Sequence, residues 1–329
     1  MSPRFGAAGQ GPAYSLAFVR LRDHALIARG GSDGVIRFID IPSGETLHEI
    51  DRAHRGAVRA LTPLPDGENG RKRLASCGVD CVVRVWDLDT FARASEVRLA
   101  NPKQDHAQIT SARIGGRALI AAKVGAGVHL WDPDASDEPM QLGQPTDQIW
   151  SLATTMVHGE VRIAGGGNDG RIHLWDPVTG ELVRWFPAHQ STVWALAGHD
   201  GSSFPLLASG AADSRIRVWD PATGSLQHEL TGHSSTIRTL TVVGSPDGER
   251  LASGSADSTI RLWDPRAGAL AAEPFEGYRG EVWALAPVDI GGRWQIAAGG
   301  AEGSLLLLDP QTRHGETVLA GSAGTVWAL

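Results

Sequence analysis

The sequence predicts an all-β chain in which one unit of short antiparallel strands is repeated seven times. Three observations predict this fold. The first is a Trp-Asp pair that recurs five times and is flanked by two degenerate pairs, with 44 to 47 residues between successive aspartates. The pairs are Ile39-Asp40, Trp86-Asp87, Trp131-Asp132, Trp175-Asp176, Trp219-Asp220, Trp263-Asp264 and Leu308-Asp309. Self-similarity at such a period is the signature of a repeat architecture.

The other two observations are registers inside the unit. An acidic residue stands seven positions before the terminal aspartate in six copies, and Gly125 takes its place in the third. These acids are Asp33, Asp80, Asp169, Asp213, Asp257 and Glu302. A leucine precedes the same position by 17 residues in five copies, namely Leu16, Leu152, Leu196, Leu240 and Leu285. Chance does not produce both registers together, so the copies share one structure.

The sixth copy shows the expected elements in order. β-Branched residues predict a first strand, and alternation with period two predicts a third strand after the turn at Asp257-Ser258. The next turn, over 264–268, contains Asp-Pro-Arg-Ala-Gly, which suits a reversal because proline fixes φ and glycine tolerates positive φ. The same turn chemistry recurs at 176–180 and 220–224. The predicted strands of this copy cover 236–243, 251–255, 259–263 and 269–275.

A four-stranded sheet of this kind cannot bury both of its faces alone, so we expect the copies to stack in a ring. The Trp-Asp pairs and their spacing resemble the WD40-repeat family, whose unit runs about 40–45 residues. This resemblance covers 13–329 and implies a seven-bladed β-propeller of four-stranded antiparallel blades around a central channel. We therefore expect an N-terminal tail over 1–12 and a single propeller over 13–329.

The last five residues, Thr325-Val326-Trp327-Ala328-Leu329, read as an extra inner strand, because Leu329 lies 44 residues after Leu285. Two accounts are open. The segment either closes the ring by entering the first blade, or it is the start of a further repeat in a longer chain. Truncation is the account that we favour.

Composition narrows the class of protein. The 329 residues carry a net charge of −7 and only two cysteines, which argues against general nucleic-acid binding and against a secreted disulfide framework. No apolar run is long enough for a membrane span, so we expect a cytoplasmic protein without membrane contact. Lysine is rare against abundant alanine, glycine and arginine, which is typical of a GC-rich, bacterial genome.

The resemblance also implies a buried hydrogen-bond relay of His, Ser, Asp and Trp within a blade. Three copies contain all four residue types, and indole N–H, hydroxyl, imidazole and carboxylate can satisfy one another in a chain. The relays are His54, Ser76, Asp80 and Trp86; His189, Ser209, Asp213 and Trp219; and His233, Ser253, Asp257 and Trp263. A Ser-His-Asp triad is the alternative, but threefold repetition and the tryptophan favour a structural role.

The other copies depart from this pattern, so we expect their blades to rely more on apolar packing. The fourth has Pro145 and Gly165 where His and Ser are expected. The departures elsewhere are Gly125 and a displaced His106 in the third copy, and Tyr278, Ala298, Glu302 and Leu308 in the seventh.

The starts of the first strands are expected to meet at one mouth of the channel, at the position that faces bound peptides in similar propellers. The aligned residues are Tyr14, Arg59, Trp150, Trp194, Arg238, Trp283 and Trp327. Trp, Tyr and Arg dominate interface hot spots, which favours a protein-binding mouth. The alternative is that these side chains only pack between adjacent inner strands.

The residue types at this mouth suggest its chemistry. Tryptophan faces attract Lys or Arg by cation–π contact, Arg59 and Arg238 could take a carboxylate or phosphate, and three acids lie near in sequence. These acids are Asp105, Asp147 and Glu281. Cys77 and Cys81 bracket one hairpin turn and are expected to be reduced thiols, since two sulfurs fall short of a zinc site. We expect no metal and no cofactor.

Two functions from different classes follow. The one that we favour is a non-catalytic interaction scaffold or regulatory module that binds a protein segment, as a monomeric disc or as an arm of a larger multidomain chain. The alternative is a metal-dependent hydrolase of small molecules, centred in the channel. That chemistry needs Asp, Glu, Asn or His to converge from several inner strands, and the inner strands present Trp, Arg, Thr, Ser and aliphatic residues instead.

Overall fold

The computed structural model describes 13–22, 24–66, 70–99, 107–124, 127–135, 137–143, 149–198, 206–244, 248–275, 278, 280–300, 305–310 and 315–319. Every regular element in these ranges is a β-strand, and the strands form seven four-stranded antiparallel sheets. The seven-bladed β-propeller predicted from the sequence is thereby confirmed. The described residues include no helix long and apolar enough to cross a membrane.

Within each blade the strands follow one another in chain order from the centre outward. The first blade comprises β1 (Ala13–Leu21), β2 (His24–Gly31), β3 (Ile36–Asp40) and β4 (Thr46–Ile50). The second comprises β5 (Val58–Pro63), β6 (Arg73–Gly78), β7 (Val82–Asp87) and β8 (Arg93–Arg98). The third comprises β9 (Ala107–Ile114), β10 (Arg117–Val124), β11 (Gly127–Trp131) and β12 (Met140–Gln141).

The remaining blades repeat the arrangement. The fourth comprises β13 (Ile149–Val157), β14 (Glu160–Gly167), β15 (Arg171–Trp175) and β16 (Leu182–Pro187). The fifth comprises β17 (Val193–Gly198), β18 (Leu207–Ala211), β19 (Ile216–Asp220) and β20 (Ser225–Leu230). The sixth comprises β21 (Ile237–Val243), β22 (Arg250–Ser255), β23 (Ile260–Asp264) and β24 (Ala269–Leu270). The seventh comprises β25 (Val282–Ile290), β26 (Arg293–Gly300), β27 (Leu305–Leu308) and β28 (Gly315–Leu319).

The sixth blade shows where the sequence prediction was too long. The fourth strand was expected over 269–275, but regular pairing ends at Leu270. Pro274 has no N–H to donate to the ladder, and Phe275 then rejoins the sheet through two backbone hydrogen bonds with Ile260. The outer strand is therefore interrupted rather than continuous.

The core lies between neighbouring blades, where the second strand of one blade meets the first strand of the next. Small residues make this approach possible. A Cβ built on Gly30 would lie 2.7 Å from Val58 Cγ1, and one on Gly166 would lie 2.6 Å from Val193 Cγ1. These are distances that carbon atoms do not tolerate, so glycine is required where the next inner strand packs.

The ring closes between the seventh blade and the first. β1 contacts β25, and a buried cluster joins Leu16 and Ile27 to Ala286 and Val288. β1 itself holds the inner position of the first blade and pairs with β2 along its length. The expected tail over 1–12 and the extra strand over 325–329 lie outside the described residues.

Candidate functional site

The three complete relays are joined by hydrogen bonds in the structure. In the second blade, His54 Nδ1 lies 2.8 Å from Asp80 Oδ1, and His54 Nε2 lies 2.7 Å from Ser76 Oγ. Trp86 Nε1 donates to the same Ser76 Oγ at 2.8 Å. The fifth and sixth blades repeat this geometry, with His–Ser distances of 2.8 and 2.7 Å and Trp–Ser distances of 2.8 Å in both.

One protonation pattern satisfies the whole chain. The indole N–H can only donate, so the serine oxygen accepts from it and its own O–H is directed to His Nε2. The proton of the neutral imidazole then lies on Nδ1 and is donated to the aspartate. Burial lowers the pKa of His54, His189 and His233, which keeps these rings neutral. Because every hydroxyl is engaged inside a blade, the serines are structural and are not exposed nucleophiles.

The carboxylates of the relay have further partners that the sequence analysis did not include. Arg84 Nη1 lies 2.9 Å from Asp80 Oδ2, and Arg217 Nη1 lies 3.3 Å from Asp213 Oδ2. Burial raises the pKa of Asp80, but the hydrogen bonds from His54 and Arg84 outweigh it and hold the pKa well below its usual range. The signal was present in the sequence, because an arginine stands two positions before the tryptophan in these copies.

The fourth blade replaces the relay by apolar packing of Trp175, as expected, together with one hydrogen bond to the backbone that we did not expect. Trp175 Nε1 donates to the backbone carbonyl of Gly143 at 2.8 Å, and the side chain is fully buried. Its ring fills the place of the missing serine, because a Cβ on Gly165 would lie 2.7 Å from Trp175 Cζ3. Tyr278 and Ala298 of the seventh blade do lie in a buried apolar cluster. Gly125, His106, Pro145 and Glu302 lie outside the described residues.

The residues predicted at the channel mouth share a backbone feature that the sequence did not reveal. Six described first strands have a β-bulge at the aligned position, where the register of the strand pair skips one residue. The residues at these bulges are Tyr14, Arg59, Trp150, Trp194, Arg238 and Trp283. At Arg59, Trp150, Trp194, Arg238 and Trp283 the bulge re-aims the side chain away from the ladder. Trp327 lies outside the described residues.

Several of these side chains contact one another. The rings of Trp150 and Trp194 are 4.9 Å apart between centroids and tilted by 54°. Arg238 Cζ lies 5.2 Å from the centroid of the Trp194 ring. The carboxylate of Glu281 joins the sixth and seventh blades, because its Oε2 accepts from Arg238 Nε at 3.2 Å and from Trp283 Nε1 at 2.6 Å. Glu281 is the one predicted acid of the mouth within the described residues.

Lys123 is a further cation that the sequence analysis missed. It is buried, burial lowers its pKa, and its Nζ lies 5.4 Å from the centroid of the Trp150 ring. The other described blades carry small residues at the same position, and this contrast was the available signal. These residues are Gly31, Gly78, Gly167, Ala211, Ser255 and Gly300. The faces of Trp150 and Trp194 were predicted to attract a cation of a partner, but each already contacts a cation of this protein, Lys123 and Arg238 respectively.

The first strands surround a central cavity of about 600 Å³. Trp194, Arg238 and Trp283 are part of its lining, whereas Arg59 and Trp150 are not. The mouth site is therefore defined here as Trp194, Arg238, Glu281 and Trp283. A cavity of this size is in the range of ligand pockets, about 300–1,000 Å³.

The opposite end of the channel carries residues that the sequence did not single out. Arg20 of β1 and Asp289 of β25 form an ion pair of 3.4 Å across the closure of the ring, and exposed Trp294 lines the cavity beside them. Trp283 and Asp289 are six residues apart on one strand, so about 20 Å separates the two ends.

The described residues contain no group of three or more His, Cys, Asp or Glu placed to hold a metal ion. Cys77 and Cys81 are both buried free thiols. Burial raises the pKa of Cys77 far above its usual value, with smaller contributions from Cys81 and Asp80. A thiol held in this protonated form is a poor nucleophile.

Comparison with known proteins identifies the repeat. The stretches 44–87, 180–220 and 224–264 match the model of the WD40 family, described as WD domain, G-beta repeat. Each stretch ends on the Trp-Asp pair of a blade that has the complete relay. Three repeats of the seven-bladed propeller thus match the WD40 model, and the remaining blades have the same topology with altered relays.

Curated relatives match over short stretches. The ribosome biogenesis protein ERB1 of Coccidioides immitis is 33% identical over 35% of this chain and 13% of that protein. DDB1- and CUL4-associated factor 13 of Dictyostelium discoideum is 40% identical over 19% and 13%, and the mouse guanine nucleotide-exchange factor SEC12 is 39% identical over 20% and 15%. The matches therefore span less than a sixth of each relative. These organisms are eukaryotes, and the bacterial origin stays a prediction.

Among solved structures, the crystal structure of the computationally designed Ika8 protein superimposes with a TM-score of 0.69 at 24% identity. The similarity covers 98% of this chain and 91% of the designed chain. At this identity it shows the fold alone.

Proposed function

We propose that this protein is a non-catalytic interaction module whose mouth site binds a segment of a partner protein. The relatives have names from ribosome biogenesis, a DDB1- and CUL4-associated factor and nucleotide exchange, which fit a propeller serving as an interaction scaffold. We further propose that it acts in the cytoplasm as a monomeric disc or as an arm of a larger chain, and that its ligand is neither nucleic acid nor membrane.

The observation that carries this proposal is the placement of Trp194, Arg238 and Trp283 at the channel mouth by β-bulges in three consecutive inner strands. Tryptophan and arginine provide most of the binding energy at protein interfaces when they are clustered and partly desolvated. Glu281 holds Arg238 and Trp283 in fixed positions, so little side-chain entropy is lost on binding. The mouth site is thus preorganised for a ligand of mixed apolar and charged character.

No observation favours the alternative of a channel-centred hydrolase. That chemistry requires several carboxylates or imidazoles that converge on one point of the channel. In the described lining the acidic residue is Asp289, and it pairs with Arg20 at 3.4 Å.

The test is an affinity pull-down from a native lysate with the wild type and the double variant Trp194→Ala/Trp283→Ala. Trp294→Ala, at the opposite end of the channel, is the matched control, and circular dichroism checks that each variant is folded. We expect a partner that the wild type and the control capture and the double variant loses. Equal capture by all three proteins would move binding away from the mouth site, and metal analysis would follow if nothing were captured.

A further inference from the structure

The outer hairpin of the fourth blade concentrates exposed apolar side chains. Val178 is 74% exposed, Leu182 36%, Val183 55% and Trp185 50%. The other large apolar side chains that are exposed in the described residues lie one to a blade on four different blades, at Leu47, Leu226, Leu270 and Trp294. Scattered single residues are normal on a protein surface, whereas a contiguous group marks an interaction site.

Three of these side chains belong to β16, which is the last strand of its sheet. One edge of β16 pairs with β15, and no strand of the sheet pairs with the other edge. Arg184 and Trp185 pair with Leu174 and His173 of β15 and therefore point to opposite faces of the sheet, whereas Val183 is the extra residue of a bulge between Leu182 and Arg184. The strand therefore offers both free backbone groups and apolar side chains at the rim of the disc.

Other outer strands carry the charges that usually protect a sheet edge from further pairing. On β8, Glu96 forms ion pairs with Arg84 and Arg93 at 2.9 and 2.8 Å. On β20, Glu229 pairs with Arg217 at 2.7 Å. β16 contains no acidic residue, and its single cation, Arg184, donates to the carbonyl oxygen of Thr223 and forms no ion pair within the described residues.

We propose that β16 is a docking edge to which an extended segment of a partner protein adds as a fifth strand, with an acidic residue between two apolar residues. The acidic residue lies opposite Arg184, which has no carboxylate partner in the described part of the chain. One flanking apolar residue lies opposite Trp185, on the other face, and the second lies beside the bulge at Val183. Addition of a strand to a free edge draws affinity from main-chain hydrogen bonds and specificity from alternate side chains.

The exposed Trp185 ring on this edge is held in place by Arg171. Arg171 Cζ lies 4.3 Å from the centroid of the Trp185 ring, and Arg171 Nε lies 3.2 Å from Asp169 Oδ2. The stacked guanidinium fixes the exposed indole, so its face is presented without loss of rotamer freedom on binding.

A second copy of this chain fits the edge less well. The antiparallel register that brings Val183 against Trp185 of another copy also places Arg184 directly opposite its own counterpart. Like charges at directly opposed positions destabilise a strand pair, whereas an acidic residue there stabilises it. Charge complementarity thus selects an acidic partner over self-association.

The test uses two fluorescein-labelled peptides, Ser-Thr-Val-Glu-Val-Thr-Ser and the same sequence with Lys in place of Glu, and measures binding to the full chain by fluorescence anisotropy. We expect the Glu peptide to bind about threefold or more tightly than the Lys peptide, as one cross-strand charge pair allows. Arg184→Glu is expected to reverse this preference, and Trp185→Ala to weaken binding of both peptides.

Matched controls separate this edge from other surfaces. Leu226→Ala alters an exposed residue of the neighbouring outer strand, and Trp194→Ala/Trp283→Ala alters the mouth site, so both are expected to bind the Glu peptide as the wild type does. Amide exchange is expected to slow along Val183–Phe186 when the peptide is bound.

Three results would overturn the proposal. These are no saturable binding up to about 1 mM peptide, a charge preference that Arg184→Glu leaves unchanged, and a concentration-dependent dimer of the wild type that Trp185→Ala abolishes. The last result would assign the edge to a second copy. Failure of the mouth site in the pull-down leaves this test unaffected, because the two surfaces share no residue.

Discussion

Single hydroxyl groups hold the relays together at the scale of the residue. In the sixth blade, Ser253 Oγ accepts from Trp263 Nε1 at 2.8 Å and lies 2.7 Å from His233 Nε2, and none of the serine is exposed. A buried polar group that loses its partner costs more free energy than the hydrogen bond contributed, because the group has already lost its water. One small side chain therefore determines whether the indole and the imidazole both keep a hydrogen-bond partner.

Replacing this serine should lower the free energy of unfolding. For Ser253→Ala we expect a loss of about 1–3 kcal/mol, since the indole N–H and the imidazole nitrogen are both left unsatisfied. Ser234→Ala is the control, because Ser234 is exposed and only its backbone N–H takes part, as a donor to Asp257. Urea denaturation measures both variants, and equal midpoints would show that the relay adds no stability.

The same relays predict how stability depends on pH. Burial lowers the pKa of the three relay histidines in the folded state below the unfolded value of about 6.5. The unfolded chain then binds more protons below that pH, so the free energy of unfolding falls as pH decreases from 7 to about 5. Hydrogen bonds lower the pKa of Asp257 to about 2 despite its burial. Protonation of this carboxylate therefore reduces the free energy of unfolding only at lower pH.

Urea midpoints at several values between pH 7.5 and about 5 measure this dependence. Removing a titrating ring should flatten the curve, so His233→Gln is expected to be less stable than the wild type at neutral pH and to lose less on acidification. A wild type that gains stability towards pH 5 would contradict the assignment of neutral relay histidines.

At the scale of the element, the fourth blade shows that two sequence solutions fit the same four strands. The three blades with a complete relay have a serine on their second strand, whereas β14 of the fourth blade has Gly165, and the Trp175 ring occupies the space. The indole N–H then finds its acceptor in the backbone of the connection between the third and fourth blades, at Gly143. In those three blades the corresponding connection provides the relay histidine, so the tryptophan here bonds directly to the connection that it elsewhere reaches through serine and histidine.

This exchange predicts that restoring the missing serine will be harmful. A side chain at Gly165 would meet Trp175 Cζ3 at 2.7 Å and Ile149 Cγ2 at 3.2 Å. We expect Gly165→Ser to destabilise the protein by about 1–3 kcal/mol, the usual cost of overpacking a core. Thermal unfolding measures the change, and near-ultraviolet circular dichroism reports the displaced indole. An unchanged or raised melting temperature would mean that the ring can move aside.

At the scale of the whole molecule, the sequence predicted the seven-bladed ring well, because the sequence pattern that specifies a blade is repeated along the chain. The period of the Trp-Asp pairs, the relay types and the turn chemistry are local, and each reappears at a fixed spacing. The unusual residue type of Lys123 was visible in the sequence, but its contact with Trp150, the bulges at the mouth and the pairing of Glu281 with Arg238 were not predictable. They depend on which side chains neighbouring blades bring together, and no spacing along the chain encodes that.

Closure distinguishes this ring from an open array of repeats, in which each unit contacts only its sequence neighbours. The first and seventh blades are joined by two kinds of contact. Leu16 is 1% exposed within the apolar cluster that includes Val288, and Arg20 pairs with Asp289 at 3.4 Å on the surface. Removing the buried leucine leaves a cavity, whereas removing an exposed ion pair returns two charges to water.

We therefore expect Leu16→Ala to cost about 2–5 kcal/mol and Arg20→Ala less than about 1 kcal/mol, although both side chains join the same two blades. Urea denaturation gives the two free energies, and amide exchange along β1 and β25 shows whether opening starts at the junction. In Leu16→Ala the protection of both strands should fall together, because each is the other's neighbour across the closure. Equal costs for the two variants, or loss of protection confined to β1, would mean that the apolar cluster does not hold the ring closed.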